Sequence, residues 1–346
     1  MKILILLTIV SVLAHAPSVF AKEYRVGVLY WSMNIEGQVA MRKGVEEVAL
    51  QLNQDLKKSN DHIKLIPYVA GDGEAGVANQ IKQMDQMIDK DNVDIIIVQP
   101  TDNAALVAPL LKANAKKIPV VAYDQYIVKG EIASYITSNN YQAGYLDGEY
   151  LASMFADDYE MKLVLVEYPK VSSTVERVDG LMDALKTEKQ KFKVIGTFEA
   201  VEPVSGKKAG ADILAKFPNQ NSIDAIFTVN DGGGLSVVEA IMAAKRNEIK
   251  IATVDGDPRS VKNIKASQNT VIDSAQFCAE LGRQSMSVAW KILKGEKYPK
   301  KILVPTFPIV KSTANIYPGW LGKIPNKFEK SWKKGNFWDN QFLEKY

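Results

Sequence analysis

Short apolar runs rich in β-branched residues alternate with amphipathic stretches along most of the chain. In the first amphipathic stretch the apolar positions recur every three or four residues, as at Met41, Val45 and Leu52, which predicts a helix over 38–56. The run Ile95-Ile96-Ile97-Val98 is apolar at every position, which predicts a strand buried on both faces, as in a parallel sheet. Alternation of strands and helices predicts an α/β fold.

The pattern divides into two series of strand–helix units. The first predicts strands over 24–30, 63–68, 94–98 and 119–123, with helices over 38–56, 76–89 and 103–115. The second predicts strands over 162–167, 192–198, 224–229, 250–254 and 271–275, with helices over 141–156, 174–186, 205–217, 235–246, 258–266 and 279–294. A chain of 346 residues also exceeds the roughly 250 at which single cores tend to divide. We therefore expect two Rossmann-like lobes with parallel sheets.

The first residues have the pattern of a signal peptide over 1–21: Lys2 precedes the apolar run 3–13, and Val19 and Ala21 fit a cleavage site. A membrane anchor is the alternative, but the run is shorter than the ~20 apolar residues of a spanning helix. We expect a protein exported to the periplasm. Its single cysteine, Cys278, has no partner for an internal disulfide.

Three further divisions of the chain are predicted. The amino-terminal lobe comprises 22–138 plus 277–304, the carboxy-terminal lobe comprises 139–276 plus 305–317, and an aromatic, basic tail covers 318–346. No glycine- or serine-rich linker separates the lobes, so we expect a three-strand hinge with crossings near Ser138, Gln276 and Pro305. The tail holds Trp320, Trp332 and Trp338 with six lysines. It is expected to wrap over a lobe or, alternatively, to form a docking surface for a partner.

Five polar residues each follow a predicted strand or begin a helix: Asp124, Arg177, Asn230, Asp255 and Gln276. Loops at the carboxyl ends of parallel strands meet in one crevice, so these side chains are expected to line one pocket. Carboxylate, guanidinium and amide groups bind neighbouring hydroxyls in bidentate fashion, and Trp31 or Tyr30 offers an apolar face. For each residue alone, a helix cap or surface ion pair is the alternative.

Composition excludes several other functions. The 43 basic and 40 acidic residues leave no electrostatic footprint for nucleic acid. Of two histidines, His15 lies in the predicted signal peptide and His62 stands alone, so no histidine base accompanies a nucleophile. The triplet 232–234 lacks the lysine and spacing of a phosphate loop, and the acidic run 89–94 lacks the glycine of a calcium loop. We expect no catalytic residue, no metal and no cofactor.

Several segments between 24 and 310 resemble the ribose- and galactose-type periplasmic binding proteins. They are Gln99-Pro100-Thr101-Asp102, similar to that family's "NPTD", and the segments 118–124, 138–140, 176–180, 229–231, 254–256 and 275–276, similar to its "IPVVxxD", "SDN", "ERxxG", "QND", "FDG" and "AQ". The resemblance implies that Asp124 accepts hydrogen bonds from sugar hydroxyls. It also implies that Arg177, Asn230, Asp255 and Gln276 contact the ligand.

The chain departs from ribose binders in the first half of the site. Asn34-Ile35-Glu36-Gly37-Gln38 stands where they usually have an aromatic pair, and Gln125 follows Asp124 where they commonly have arginine. Losing two rings and a guanidinium removes stacking area and fixed donors, which argues against a simple pyranose fit. Trp31, Asn34, Glu36 and Gln38 are therefore added to the expected ligand contacts.

The expected function is that of a monomeric periplasmic solute-binding protein, not an enzyme. It would capture a sugar or polyol by hinge closure and present it to an inner-membrane ABC permease. The alternative is a sensing subunit on a membrane histidine kinase, because the altered contacts and long tail distantly resemble autoinducer-2 and trimethylamine-oxide receptors. A carbohydrate-active enzyme using Asp124 and Asp255 is a second alternative. A cytosolic repressor is excluded, since it needs a DNA-binding segment where this chain has an export signal.

Overall fold

The computed structural model describes residues 21–346, so the predicted signal peptide lies outside the described residues except for Ala21. The strands are β1 (Glu23–Tyr30), β2 (His62–Val69), β3 (Ile95–Val98), β4 (Val120–Tyr123), β5 (Ser134–Ser138), β6 (Met161–Glu167), β7 (Phe192–Glu199), β8 (Ala225–Thr228), β9 (Lys250–Asp255), β10 (Thr270–Ala275), β11 (Lys301–Val304), β12 (Phe307–Ile309), β13 (Phe328–Glu329), β14 (Phe337–Trp338) and β15 (Leu343–Lys345). The helices are α1 (Glu36–Leu56), α2 (Gly73–Asp89), α3 (Val107–Ala115), α4 (Asn140–Ala152), α5 (Ser172–Thr187), α6 (Pro203–Lys216), α7 (Asp231–Ala243), α8 (Pro258–Lys265) and α9 (Cys278–Leu293), with a 3₁₀ turn at Lys57–Ser59. Within 21–346, none of these helices has the length and apolarity to cross a membrane.

Two sheets organise the molecule. The first has the order β15-β11-β5-β4-β3-β1-β2 and carries α1, α2, α3 and α9, which we call the amino-terminal lobe. The second has the order β12-β10-β9-β8-β6-β7 and carries α4 to α8, which we call the carboxy-terminal lobe. The predicted α/β fold with two Rossmann-like lobes is confirmed. It differs in one respect, since each otherwise parallel sheet ends in an antiparallel edge strand, β15 or β12.

The chain passes between the sheets at three neighbouring places. It leaves the first sheet after β5, returns to it after β10, and crosses again between β11 and β12. Val304 lies beside Ser138 in the parallel pair of β11 and β5, and Phe307 lies beside Ala275 in the pair of β12 and β10. The crossings are therefore adjacent, and the predicted three-strand hinge is confirmed.

Close helix packing fixes the elements that border the cleft. A Cβ atom added to Gly44 of α1 would lie 1.9 Å from the backbone oxygen of Ala279 on α9. Similarly, a Cβ on Gly144 of α4 would lie 1.7 Å from the backbone oxygen of Arg177 on α5. Only glycine permits backbones to approach this closely. The second contact positions the helix turn that carries Arg177.

The tail does not stand apart from the lobes. The Lys330 ammonium donates to both oxygens of Glu149 on α4, at 2.6 and 2.9 Å, and Trp332 Nε1 donates to Glu149 Oε1 at 2.8 Å. Trp338 is buried, and its Nε1 donates to the backbone oxygen of Thr306 at the third crossing. The last strand, β15, then pairs with β11. The tail thus contacts both lobes and the hinge, whereas the sequence analysis expected it to wrap over one lobe; a role as a docking surface stays a prediction.

Candidate functional site

A cleft of about 1550 Å³ separates the two lobes. It is bordered by the carboxyl ends of β1, β4, β8, β9 and β10, where ligands of open α/β sheets bind. All nine residues predicted from the sequence line it: Trp31, Asn34, Glu36, Gln38, Asp124, Arg177, Asn230, Asp255 and Gln276. The structure brings these side chains together, and their contact with a ligand stays a prediction.

Asp124 lies on the floor of the cleft at the end of β4, with only 7% of its surface exposed. Its φ of 62° is left-handed, and the hydroxyls of Tyr135 and Thr137 hold its backbone oxygen at 3.0 and 2.9 Å. Gln99 Nε2 donates to Oδ2 at 2.9 Å, whereas Oδ1 accepts no hydrogen bond from residues 21–346. Burial raises the pKa of this carboxyl, against the lowering effects of Gln99, Arg177 and Gln125. Asp124 therefore offers a free, poorly solvated acceptor to a ligand.

Arg177, which is buried, and Asp255, which is partly exposed, form an ion pair on the opposite wall. Arg177 Nη1 donates to Asp255 Oδ1 at 3.1 Å and to the Val229 backbone oxygen at 2.7 Å. Its Nε donates to Asn140 Oδ1 at 3.0 Å. Burial raises the pKa of Asp255, and the charge of Arg177 and the Gln276 amide lower it. Three of the arginine's bonds are thus structural, while Nη2 donates to no acceptor in the described chain and remains available to a ligand.

Gln276 connects this ion pair to the hinge. Its Nε2 donates to Asp255 Oδ1 at 2.6 Å, and its Oε1 accepts a 2.7 Å bond from the Ser138 hydroxyl in the other lobe. Asp255 itself has a φ of 129°, which is costly for a residue other than glycine. Backbone strain of this kind persists only where neighbouring contacts hold the residue in place. Here the bonds from Arg177 and Gln276 hold the Asp255 carboxylate in the cleft.

The side chain of Asn230 caps a helix, which the sequence analysis allowed as the alternative to ligand contact. Its Oδ1 accepts from the backbone amide of Gly233 at 3.1 Å, and its Nδ2 donates to the Val201 backbone oxygen at 2.9 Å. It begins α7 in the manner of an N-cap. Asn230 lines the cleft, but both ends of its amide already have protein partners.

Two polar side chains of the amino-terminal wall also have hydrogen-bond partners within the protein. Gln38 is 8% exposed, and its Oε1 accepts from the backbone amide of Ser32 at 2.8 Å. Asn34 Nδ2 donates to Asp72 Oδ2 at 2.7 Å. Glu36, in the first turn of α1, and the half-buried Trp31 have side chains free of such bonds within 21–346. These two are the better placed to meet a ligand.

Sequence reasoning missed several residues of the cleft. Gln99 does not line the cleft itself but donates to Asp124 from the buried side; it follows β3 directly, and that position was a usable signal. Gln125 Nε2 donates to Ser173 Oγ at 2.8 Å and so joins the two lobes. Trp320 enters the cleft from the tail, where its Nε1 donates to the backbone oxygen of Asp255 at 2.6 Å. Nothing in the sequence indicated that a tail residue would reach this site.

A second layer of carboxyls supports the loop after β9. Asp273 Oδ1 accepts from the Gly256 amide at 2.9 Å, and Asp231 Oδ2 accepts from the Asp257 amide at 2.7 Å. Burial raises the pKa of Asp273 to about 8, and burial together with the charge of Asp273 raises that of Asp231. Within 21–346, no three histidine, cysteine or acidic side chains are arranged to hold a metal ion. The observed contacts of this layer are hydrogen bonds to the backbone of the loop.

Known proteins resemble the chain over most of its length. The model of the family described as the periplasmic binding protein domain matches residues 26–297. The ribose import binding protein of Salmonella typhimurium (strain LT2) is 25% identical over 310 residues, which span 88% of this chain and 98% of that protein. A periplasmic solute-binding protein of Actinobacillus succinogenes with bound D-allose has a TM-score of 0.71 at 23% identity, covering 85% of this chain and 100% of that one. The fructose-binding periplasmic domain of a hybrid two-component system has a TM-score of 0.73 at 22% identity, covering 85% and 92%.

The family match includes every residue predicted for the site, from Trp31 to Gln276, whereas the tail with Trp320 lies beyond it. Fold, hinge and cleft agree with that match. The chain belongs to the periplasmic binding protein family.

Proposed function

We propose that this protein captures a small hydroxyl-rich molecule, a sugar or polyol, in the cleft and presents it to an inner-membrane ABC permease. The proposal rests on one observation above all: Asp124 from one lobe and the Arg177–Asp255 pair from the other line a single cleft across a three-strand hinge. The ribose import binding protein that the chain resembles supports the ligand class, and the solute-binding protein of an ABC transporter with bound D-allose supports the permease. We further propose that residues 1–21 direct export, and that the mature protein is a periplasmic monomer without a cofactor or enzymatic activity.

Capture requires the lobes to close. The volume of about 1550 Å³ exceeds the ~300–1,000 Å³ typical of small-molecule pockets. A ligand that contacts both walls binds the closed form more tightly than the open form, and this difference drives closure. The adjacent crossings at Ser138, Gln276 and Thr306 supply the axis for that motion.

Substitution of Asp124 by asparagine tests the site. Asparagine keeps the size of the side chain and tolerates the left-handed backbone, but it removes the charged acceptor. We expect ligand affinity to fall about tenfold, equivalent to ~1.4 kcal/mol, with unchanged stability of the ligand-free protein. Native mass spectrometry of protein isolated from its own periplasm identifies the ligand, and thermal shift measures its binding.

The matched control is Asp55→Asn, an exposed position on α1 outside the cleft, which should bind as the parent does. Equal affinity of Asp124→Asn and the parent would reject the site.

A sensing role on a membrane histidine kinase is the second candidate. It is favoured by the similarity to the periplasmic domain of a two-component system and by a tail that extends beyond the family match with Phe337 half exposed. Cross-linking of the ligand-loaded protein in its native membrane distinguishes the two roles. Permease peptides support transport, and kinase peptides support sensing.

A further inference from the structure

The cleft has the opposite charge to the protein as a whole. The chain carries a formal net charge of +3, yet eleven carboxyl groups and only four cationic side chains line the cleft. A groove lined mainly by one sign of charge focuses its field and concentrates ligands of the opposite sign. This cleft therefore attracts cations.

The cationic side chains do not offset the excess. Three of them are already paired with carboxylates that line the cleft: Arg177 with Asp255, Lys208 with Asp212, and Arg259 with Asp257. The fourth, Lys170, pairs with no carboxylate in 21–346 and lies over the ring of Tyr168. Carboxylates without a cationic partner remain on both rims and on the floor: Glu36, Asp72, Glu74, Glu199, Glu202 and Asp124.

The two rims repel each other. Desolvation raises the pKa of Glu202, but its bonds to the amides and hydroxyl of the α6 cap outweigh it and the pKa is lowered overall; the negative charge of Asp72 on the facing lobe opposes that lowering. Closure brings these like charges nearer, which costs free energy unless a cation lies between them. An uncharged ligand would not reduce this repulsion.

The floor of the cleft indicates a ligand independently of the rims. Asp124 is more than nine-tenths buried and lines the cleft with one carboxylate oxygen unpaired. In a poorly solvated site a charge-assisted bond from an ammonium group is about twice as strong as a neutral one. Gln125, the next residue, bonds to Ser173 and supplies no positive charge.

The remaining lining suits an organic cation rather than a metal ion. Trp31 and Trp320 line the cleft, and indole rings attract ammonium groups through their π faces. No cluster of metal-ligating side chains occurs in the described part of the chain. We propose that the ligand is a protonated amine on a hydroxylated carbon skeleton, an amino sugar or amino polyol. This deepens the function proposed above and rests on it.

Matched pairs of probes test the charge. Calorimetric titration compares D-glucose with D-glucosamine, D-galactose with D-galactosamine, D-mannose with D-mannosamine, and D-glucitol with D-glucamine, all at neutral pH. We expect the amine of at least one pair to bind about tenfold or more tightly than its neutral partner, with affinity that falls as sodium chloride rises. Stronger or equal binding of the neutral members overturns the charge inference and leaves the proposed function standing. Failure of all eight probes to bind overturns both.

Substitution of Glu36 tests whether the preference for amines arises in the cleft. Glu36→Gln removes an exposed rim charge without changing a hydrogen bond within 21–346. We expect it to weaken the amine about threefold more than the neutral partner, in line with a partly screened charge. Glu131→Gln, on an exposed loop outside the cleft, is the matched control. Equal losses for both members of the pair would show that Glu36 acts by shape and would contradict the inference.

Discussion

At the scale of single residues, the loop that carries Asp255 depends on buried carboxyls, of which only Asp231 also lines the cleft. Asp273 and Asp231 hold the amides of Gly256 and Asp257, and Asp147 lies nearby with one oxygen enclosed and unpaired. Burial raises the pKa of all three. A protonated carboxyl in this layer stabilises the fold because it removes a repulsive buried charge.

This layer predicts a particular dependence of stability on pH. The pKa of Asp273 is about 8 when folded, against an ordinary value of 3.8, so the folded protein binds more protons than the unfolded chain between those values. The free energy of unfolding therefore falls as pH rises through this window, by at most about 1.4 kcal/mol per pH unit for one proton. Asp273→Asn imitates the protonated carboxyl, and its melting temperature should change less between about pH 5 and about pH 8.

The exposed variant Asp55→Asn serves as the control and should follow the parent. If the melting temperatures of Asp273→Asn and the parent changed equally with pH, the role of this layer would be contradicted.

The strand-end position of Asp124 and Asp255 sufficed to predict that they share a cleft, because parallel topology alone brings such ends together. Their bonds were not predictable. Arg177 was expected to contact ligand, but its Nη1 donates to Asp255 and to the Val229 carbonyl, and its Nε donates to Asn140. Partners of this kind depend on side-chain directions across neighbouring strands, which spacing along the chain does not encode.

At the scale of elements, the tail is joined to α4 by a buried ion pair. The side chains of Lys330 and Glu149 are 7% and 2% exposed, and Trp332 closes the site through its Nε1 bond to Glu149 and its edge contact with Tyr150. Burying two charges is costly, and their mutual bonds compensate only while both are present. This pair therefore fixes the position of the tail.

Loss of one partner should cost more than loss of both. Lys330→Met leaves Glu149 buried with weaker partners and is expected to destabilise the protein by about 3 kcal/mol, whereas Lys330→Met with Glu149→Met should recover much of that loss. Urea denaturation of the parent, both single variants and the double variant measures the coupling. Additive effects would show that the two side chains act independently.

Elements with strong periodicity were predicted within a few residues, as for α1 and β3. The strands β5, β11 and β12 were anticipated only as hinge crossings near Ser138 and Pro305, without bounds, because they are short and owe their pairing to segments distant in sequence. Helix α3 begins at Val107, four residues later than predicted, because Asp102 Oδ1 binds the amides of Ala104 and Ala105 and holds a turn there. Helix propensity alone does not reveal that a side chain will take up backbone amides and so delay the start of a helix.

At the scale of the molecule, the cleft, the hinge and the tail form one mechanical unit. The lobes meet at three adjacent crossings, and the tail contacts the carboxy-terminal lobe at Lys330, the hinge at Trp338 and the amino-terminal sheet at β15. Relative motion of the lobes must therefore also move or bend the tail. The two-lobe plan followed from the sequence, but this fourth connection did not, since it depends on where the last residues pair.

Closure gives a measurable change in size. Ligand bound to both walls should lower the radius of gyration in small-angle X-ray scattering, because the closed form gains contacts that the open form lacks. Asp124→Asn, at the same ligand concentration, should keep the larger radius. A radius that does not change when the parent is saturated would show that capture occurs without lobe movement.

The seven-stranded sheet contains both the first and the last strand of the described chain, β1 and β15. A polypeptide that is synthesised from its amino end has to wait for residues 343–345 before that sheet is complete. Until then the edge of β11 has unpaired amide and carbonyl groups, which invite association with other chains. The amino-terminal lobe therefore cannot finish folding until the whole chain is available. Chaperones can protect its unpaired edge during that interval.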